Sequence, residues 1–250
     1  MSVSWVWLPG WSLSTHLWNP TNRILYSLSD RIAASKQYFI NFSEGYPLWE
    51  QVNHQIHETA PVVLVGWSMG GFVALEWACR YPSRVAGLVL GAVGPYFPLQ
   101  PRNGWTSLLR QAERNPGRLL QKFDHQLFSL EEQKWGAREH FQRELRTSNA
   151  QPTQQSLVWG LRYLQQISFS REQLAAIRSI PIHLHTGQED TIVPPRSTQK
   201  LTLWLPRAKY KVWDAAGHLA CWSQPKEMAV CLHQLGEEVG SGEGTSHSPI

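Results

Sequence analysis

The 250-residue chain has room for one large α/β domain or two small ones. With 42% hydrophobic and 17% charged residues, it reads as a soluble globular protein rather than a disordered or fibrous one. The net charge of +4 is uneven: from Pro98 to Arg178, 12 Lys and Arg stand against 7 Asp and Glu, which leaves the rest slightly acidic. That basic segment fits either an acidic partner or a solvated helical face.

The chain opens on a strand-like run, Val3–Leu8, with no basic leader before it. A helix is predicted over Leu17–Leu28, a strand over Tyr38–Phe42 and a helix over Leu48–Glu58. A strand over Val62–Gly66, a helix over Gly71–Tyr81 and a strand over Val85–Leu90 follow. The uncharged stretch Val85–Pro101 is broken by three Gly and three Pro, which excludes a membrane span there. Some 90 residues without a convincing strand come next. They read as helices at Trp105–Asn115, Gly117–Leu127, Leu130–Arg146, Thr153–Gln166 and Arg171–Arg178, punctuated by Asn115-Pro116-Gly117 and Gln151-Pro152. Alternation then resumes with strand Ile182–Thr186, helix Pro195–Leu205, strand Ala208–Val212 and helix Pro225–Val239. Gly240–Ile250, rich in Gly and Ser, reads as a disordered tail.

This rhythm predicts an α/β fold built on a mostly parallel, six-stranded, doubly wound sheet. The helical stretch must be inserted where it leaves the sheet's register intact, at the carboxyl end of the fourth strand, and ligands also bind at that edge. The expected division is a core of residues 1–94 and 179–239, a helical lid of 95–178 and a tail of 240–250. Cys79, Cys221 and Cys231 are odd in number and lack disulfide or metal spacing, which points to a reducing compartment, the cytoplasm.

The sharpest motif is Gly66-Trp67-Ser68-Met69-Gly70, directly after Val62–Val65 and directly before Gly71-Phe72-Val73-Ala74-Leu75. This is G-x-S-x-G between a strand and a helix, the nucleophile elbow of the α/β-hydrolase fold. Side chains two positions either side of the serine would collide in so tight a turn, so glycine is needed there. The turn lifts the Ser68 hydroxyl into the cleft, sets it near a helix N-terminus and aims the Met69 amide at a developing oxyanion.

A nucleophilic serine needs a base, and the base an orienting acid. Ile182–Thr186 runs through Gly187 to Asp190, the expected acid; the neighbouring Glu189 would point away. Ala215-Ala216-Gly217-His218 follows the last strand, so His218 is the expected base, with Gly217 giving it mobility; Asp214 sits on the wrong loop to orient it. The order Ser, Asp, His is that of this fold. The second oxyanion donor is expected from Leu8-Pro9-Gly10-Trp11-Ser12, where Trp11 gives its amide and its ring walls the pocket. His183 and His185 share one strand face, a metal-like spacing without a third ligand, and read as structural. The chemistry requires neither metal nor cofactor.

Pro9-Gly10-Trp11, Gly66-Trp67-Ser68-Met69-Gly70-Gly71, Tyr81-Pro82-Ser83-Arg84-Val85, Asp190-Thr191-Ile192-Val193-Pro194 and Ala216-Gly217-His218 together resemble the pimeloyl-[acyl-carrier-protein] methyl ester esterases of biotin synthesis. The resemblance spans nearly the whole chain before the tail. It implies hydrolysis of the carrier-bound methyl ester to the free acid and methanol. It also implies an acidic acyl-carrier protein as partner, with no nucleic acid or membrane, and a monomer. Lys122-Phe123-Asp124-His125-Gln126-Leu127 is similar to the substrate-lining segment, which makes Phe123 an acyl-chain contact. Arg114, Arg118 and Lys122, four apart, would share a helix face towards the carrier, with Arg138 and Arg143 as further candidates; each could equally be a solvated charge. One departure is Pro9-Gly10 where the family usually has His-Gly, so this loop must be anchored differently.

Other readings of the same triad are a general short-acyl esterase or thioesterase, a menaquinone-pathway lyase and a small-molecule receptor. Lid arginines pointing into the cleft would favour the lyase, and fast steady-state turnover would exclude the receptor.

Overall fold

The computed structural model describes residues 3–57, 59–98, 102–147 and 151–241. Six strands form one sheet: β1 (Ser4–Leu8), β2 (Gln37–Phe39), β3 (Val62–Trp67), β4 (Val85–Gly91), β5 (Ile182–Gly187) and β6 (Lys209–Trp213). Their order is β2-β1-β3-β4-β5-β6 and every pairing is parallel, so the sheet is wholly parallel. Before the insertion come α1 (Asn19–Leu28), α2 (Asp30–Ala33), α3 (Leu48–Gln55) and α4 (Met69–Arg80). After β4 come α5 (Arg102–Arg114), α6 (Pro116–Gln126), α7 (Leu130–Lys134), α8 (Ala137–Phe141), α9 (Gln154–Gln166) and α10 (Arg171–Ala175). The chain then adds α11 (Pro195–Thr202), α12 (Ala220–Ser223) and α13 (Pro225–Gly240) around β5 and β6.

The strands are apolar on both faces because both are covered, as parallel sheets require. Alternate residues feed two cores. Val6, Leu8, Leu64, Leu88 and Leu90 pack with Leu48 and Val52 of α3 and with Phe72–Ala78 of α4. Trp5, Trp7, Val63, Val65, Trp67 and Val89 pack with Leu25 of α1 and with Met228, Leu232 and Leu235 of α13. Each fully buried side chain of this size contributes about 1.5–3 kcal/mol, so the central strands form a stiff base. The helical insertion joins both cores, through Leu157, Leu161 and Leu164 on one side and Phe128, Phe141 and Leu145 on the other.

The structure departs from the sequence reading in places that have physical causes. The helix expected over Leu130–Arg146 is three pieces. The first ends at Lys134, Gly136 then takes a φ of +83°, α8 follows, and the chain then unwinds slightly into a wider π turn over Gln142–Thr147. The Leu17–Leu28 helix begins as a 3-10 turn, Thr15–Trp18, with α1 proper opening at Asn19-Pro20. The edge strand lies at Gln37–Phe39 instead of Tyr38–Phe42, with Ile40 N still donating to Trp7 O. α13 runs to Gly240; the rest of the expected tail, 242–250, and Glu58 at the end of a predicted helix lie outside the described residues. Among the described residues, no helix is long and apolar enough to cross a membrane.

Candidate active site

The loops that follow β1, β3, β5 and β6 converge at the carboxyl edge of the sheet. Ser68 links β3 to α4 with φ +53° and ψ −121°, a conformation that costs a non-glycine residue about 1–3 kcal/mol. The surroundings hold it there: Ser68 N donates to Gly91 O at 2.7 Å, and its carbonyl accepts the first α4 bond from Phe72 N at 3.0 Å. A Cβ on Gly66 would run into the Gly70 and Gly71 backbone. A Cβ on Gly70 would collide with the carbonyls of Leu8 and Pro9. Gly66 therefore relieves the crowding inside the turn, whereas Gly70 makes room for the loop after β1.

Asp190 lies beyond β5 and His218 beyond β6. His218 Nδ1 is 2.8 Å from Asp190 Oδ2, while Asp190 Oδ1 accepts from the amides of Ile192 and Val193, both at 2.8 Å. The carboxylate is thereby locked in place, and with the proton on Nδ1 the Nε2 atom is left as the basic nitrogen. The two loops interlock, since a Cβ on Gly187 would overlap the carbonyls of Ala216 and Gly217. Trp67, beside the serine, donates from its indole nitrogen to His218 O at 2.6 Å, tying the elbow to the base loop. Ser68, Asp190 and His218 are only 4%, 3% and 1% exposed. Glu189 and Asp214 are exposed on the outside of these loops.

In the loop after β1, Gly10 lies against the elbow: a Cβ there would sit 3.5 Å from Ser68 Cβ. Met69 is the first residue of α4, so its amide has no intrahelical acceptor. The Trp11 ring is buried, and its indole nitrogen donates to Leu157 O of the lid at 2.9 Å. Phe123 packs edge-on to Trp11 at 4.9 Å between ring centres and lies 6.4 Å from His218. Gly160 of α9 leaves the space that Trp11 and Met69 fill. A cavity of about 300 Å³ is lined by Gly10, Trp11 and Met69 together with Leu157, Trp159 and Arg146.

The predicted lid cations are not brought into this cleft. Arg114 ends α5, while Asn115 caps α6 by accepting from Arg118 N at 3.2 Å, so Arg114 does not share a helix with Arg118 and Lys122. The Asn115-Pro116 break explains why the spacing of four misleads. All three are exposed on the outer side. Arg138 is paired with Glu139 and hydrogen-bonded to His125 Nδ1 at 2.6 Å, and Arg143 is exposed. A second correction concerns Gly217. Instead of freeing His218 to move, it lets the helical insertion pack closely on the His218 loop, since a Cβ there would fall within 2.6–2.8 Å of Ser129 N, Leu127 O and Phe128 C.

Sequence reasoning missed three groups that touch these loops: the Trp67 indole, Glu132 and Arg146. Glu132 is buried and its Oε2 accepts from Gly217 N at 2.8 Å. Only Ser129-x-x-Glu132 carried a readable signal, as a helix capping box. Arg146 grips Asp124 and Ser12. Backbone strain gathers here too. Among the described residues, the non-glycine positions with positive φ are Ser12, Ser68, Ala92 and Ala215, which follow β1, β3, β4 and β6.

His183 and His185 face α13 and Trp213. His183 Nε2 lies 3.1 Å from Glu238 Oε1, and burial is the main cause that lowers its pKa. Among the described residues, neither ring nitrogen of His185 has a hydrogen-bond partner, and burial, helped by the charges of His183 and Lys211, pulls its pKa down to about 3. Among the described residues, no group of three or more His, Cys, Asp or Glu is arranged to hold a metal ion.

Comparison with known proteins agrees with this architecture. The pimeloyl-[acyl-carrier protein] methyl ester esterase of Aromatoleum aromaticum is 27% identical over 248 residues, covering 92% of this chain and 96% of that one. The protein of the same name from Nitrosomonas europaea is 26% identical and covers 92% and 94%. A solved thermophilic esterase from Thermogutta terrifontis superposes with a TM-score of 0.77 at 20% identity, covering 95% of this chain and 90% of that one. A family model described as alpha/beta hydrolase fold matches residues 46–225. That match takes in well over half of the chain, and the protein belongs to the α/β-hydrolase fold family.

Proposed function

We propose that this protein is a serine carboxylic-ester hydrolase that removes the methyl group from pimeloyl-[acyl-carrier protein] methyl ester. The observation that carries the acyl-transfer chemistry is the buried His218–Asp190 pair, joined through the Trp67 indole to the elbow that bears Ser68. Ser68 Oγ attacks the ester carbonyl as His218 Nε2 takes its proton. The tetrahedral oxyanion faces the amides of Trp11 and Met69, and each such donor is worth roughly a hundredfold or more in rate. The intermediate collapses, His218 returns the proton to the departing methoxide, and methanol leaves. Water, activated by the same histidine, then releases the acid still on its carrier. Phe123 and Trp11 line the acyl chain.

The substrate rests on the two relatives of that name, each covering 92% of the chain. The carrier is acidic, and the exposed Arg114, Arg118 and Lys122 offer it an opposite field on the outside of the lid. Lid arginines pointing into the cleft would favour the lyase reading. Arg146 does line the cavity, but its guanidinium is taken up by Asp124 and Ser12, while Arg114, Arg118, Arg143 and Lys122 are exposed, so the esterase reading is preferred.

The test is to incubate the purified protein with pimeloyl-carrier methyl ester and follow methanol release, with Ser68→Ala as control. Release that depends on Ser68, much faster than on carrier-free methyl esters, is expected. Equal rates on carrier-free esters would replace this reading with a general esterase, and no release would remove it. Growth of a biotin-requiring strain that lacks its own esterase gives the same answer in cells.

A further inference from the structure

We propose that the lid is a working part of the active site, in which Arg146 positions the oxyanion loop and Glu132 positions the base loop. This rests on the acyl-transfer reading above and assigns the two residues positioning roles within it.

Arg146 projects from the π turn at Gln142–Thr147. Its Nη1 donates to Ser12 O at 2.6 Å and its Nη2 to Ser12 Oγ at 3.0 Å. Nε and Nη2 bind the buried Asp124 carboxylate at 2.7–3.2 Å, and the guanidinium lies over the Phe141 ring, 5.2 Å from its centre. A planar fork used on both edges and one face cannot rotate, and an ammonium could not replace it. What it holds is a non-glycine residue with φ +62°, one position after the Trp11 amide. A carbonyl fixed at Ser12 keeps the strained loop from relaxing and swinging that amide away.

The base loop is held at alternate residues on both sides of His218. Ser129 Oγ donates to Ala215 O at 2.6 Å, Gly217 N donates to Glu132 Oε2 at 2.8 Å, and Leu219 N donates to Leu127 O at 3.0 Å. The same Glu132 oxygen accepts from Ser129 N at 2.6 Å, so the capping group of α7 is also the clamp. Its other oxygen, Oε1, is buried without a partner among the described residues. A buried carboxylate that is only half satisfied is a poor way to stabilise a fold, and an apolar residue of similar size would often serve stability as well. Its placement makes sense as a device for location.

The experiment compares kcat and KM on p-nitrophenyl acetate, together with backbone hydrogen exchange. The variants are Arg146→Met, the pair replacement Asp124→Leu/Arg146→Met, Glu132→Leu and Glu132→Gln. The pair replacement removes the ion pair without stranding Asp124, so it separates stability from positioning. We expect kcat to fall about ten- to a hundredfold in the first three with KM within about twofold, and Glu132→Gln, which keeps an acceptor, to stay within about threefold of wild type. Exchange should rise at residues 10–13 only in the Arg146 variants and at 215–219 only in the Glu132 variants. Unchanged kcat in folded variants, recovery in the pair replacement, or unchanged exchange at both loops would overturn the proposal. If the wild type hydrolyses no ester, the acyl-transfer reading falls, and the exchange arm alone decides whether the lid clamps the two loops.

Discussion

The strand-borne and lid-borne halves of the site are held by different means. Ser68, Asp190 and His218 stand on short turns at strand ends, fixed by glycine clearances and bonds between neighbouring loops. Phe123, Glu132 and Arg146 come from short helices and a π turn, and reach their partners across the chain. In the proposed reaction the first half carries the reacting atoms, at the ends of buried parallel strands. The second is built of pieces too short to be stable helices alone, α7 and α8 having five residues each. The proposed chemistry thus sits on the long-range sheet, whereas the groups that would position it sit on short local elements, whose own backbone hydrogen bonds contribute little stability.

That contrast can be broken by substitution. Asp190→Asn should lower kcat by roughly ten-thousandfold while leaving the melting temperature nearly unchanged, because it disturbs the histidine tautomer more than the packing; a loss under a hundredfold would show that Asp190 is not the orienting acid. Gly66→Ala sets a methyl against the Gly70 and Gly71 backbone, which cannot yield, and should cost ~3 kcal/mol or more in chemical denaturation. His185→Leu probes the sheet beneath the site. His185 titrates near 3 in the folded protein and near 6.5 unfolded, so the unfolded chain binds the extra proton as pH falls below 6.5. Stability is full above that pH and drains away towards pH 3. The variant should therefore lose about 2 kcal/mol less than wild type between pH 7 and pH 5, read from urea midpoints at the two pH values. The smallest effect belongs to the lid. In Gly160→Ala, the helix gains about 1 kcal/mol of propensity while the methyl presses on Trp11 Cδ1 at 2.6 Å and Met69 Sδ at 3.0 Å. Stability should change by ~1 kcal/mol at most, and turnover should drop severalfold as the Trp11 ring is displaced. A larger loss of stability there would mean that the lid is as rigid as the sheet.

What could be read from the sequence follows the same division. A mostly parallel sheet follows from apolar runs separated by helical patterns, and the serine elbow from glycines packed within five residues; that every pairing is parallel is seen only in the structure. Asp190 and His218 could be placed because each follows a recognisable strand. Arg146–Ser12 and Glu132–Gly217 span 134 and 85 positions, and no local pattern encodes such contacts. The run Leu130–Arg146 keeps helical periodicity throughout, yet Gly136 leaves the helix because its left-handed backbone lets α8 turn back on the core. The basic residues Arg114, Arg118 and Lys122 show the opposite failure, a regular spacing without a common helix.

The left-handed backbone at Ser12, Ser68, Ala92 and Ala215 has a further consequence. At roughly 1 kcal/mol or more each, these four positions withhold a sizeable part of the 5–15 kcal/mol that typically separates a folded domain from its unfolded chain. All of that deficit lies on one rim of the sheet. Selection of this protein for heat resistance alone should therefore gather glycine replacements along that rim, and the survivors would be sturdier and catalytically poorer.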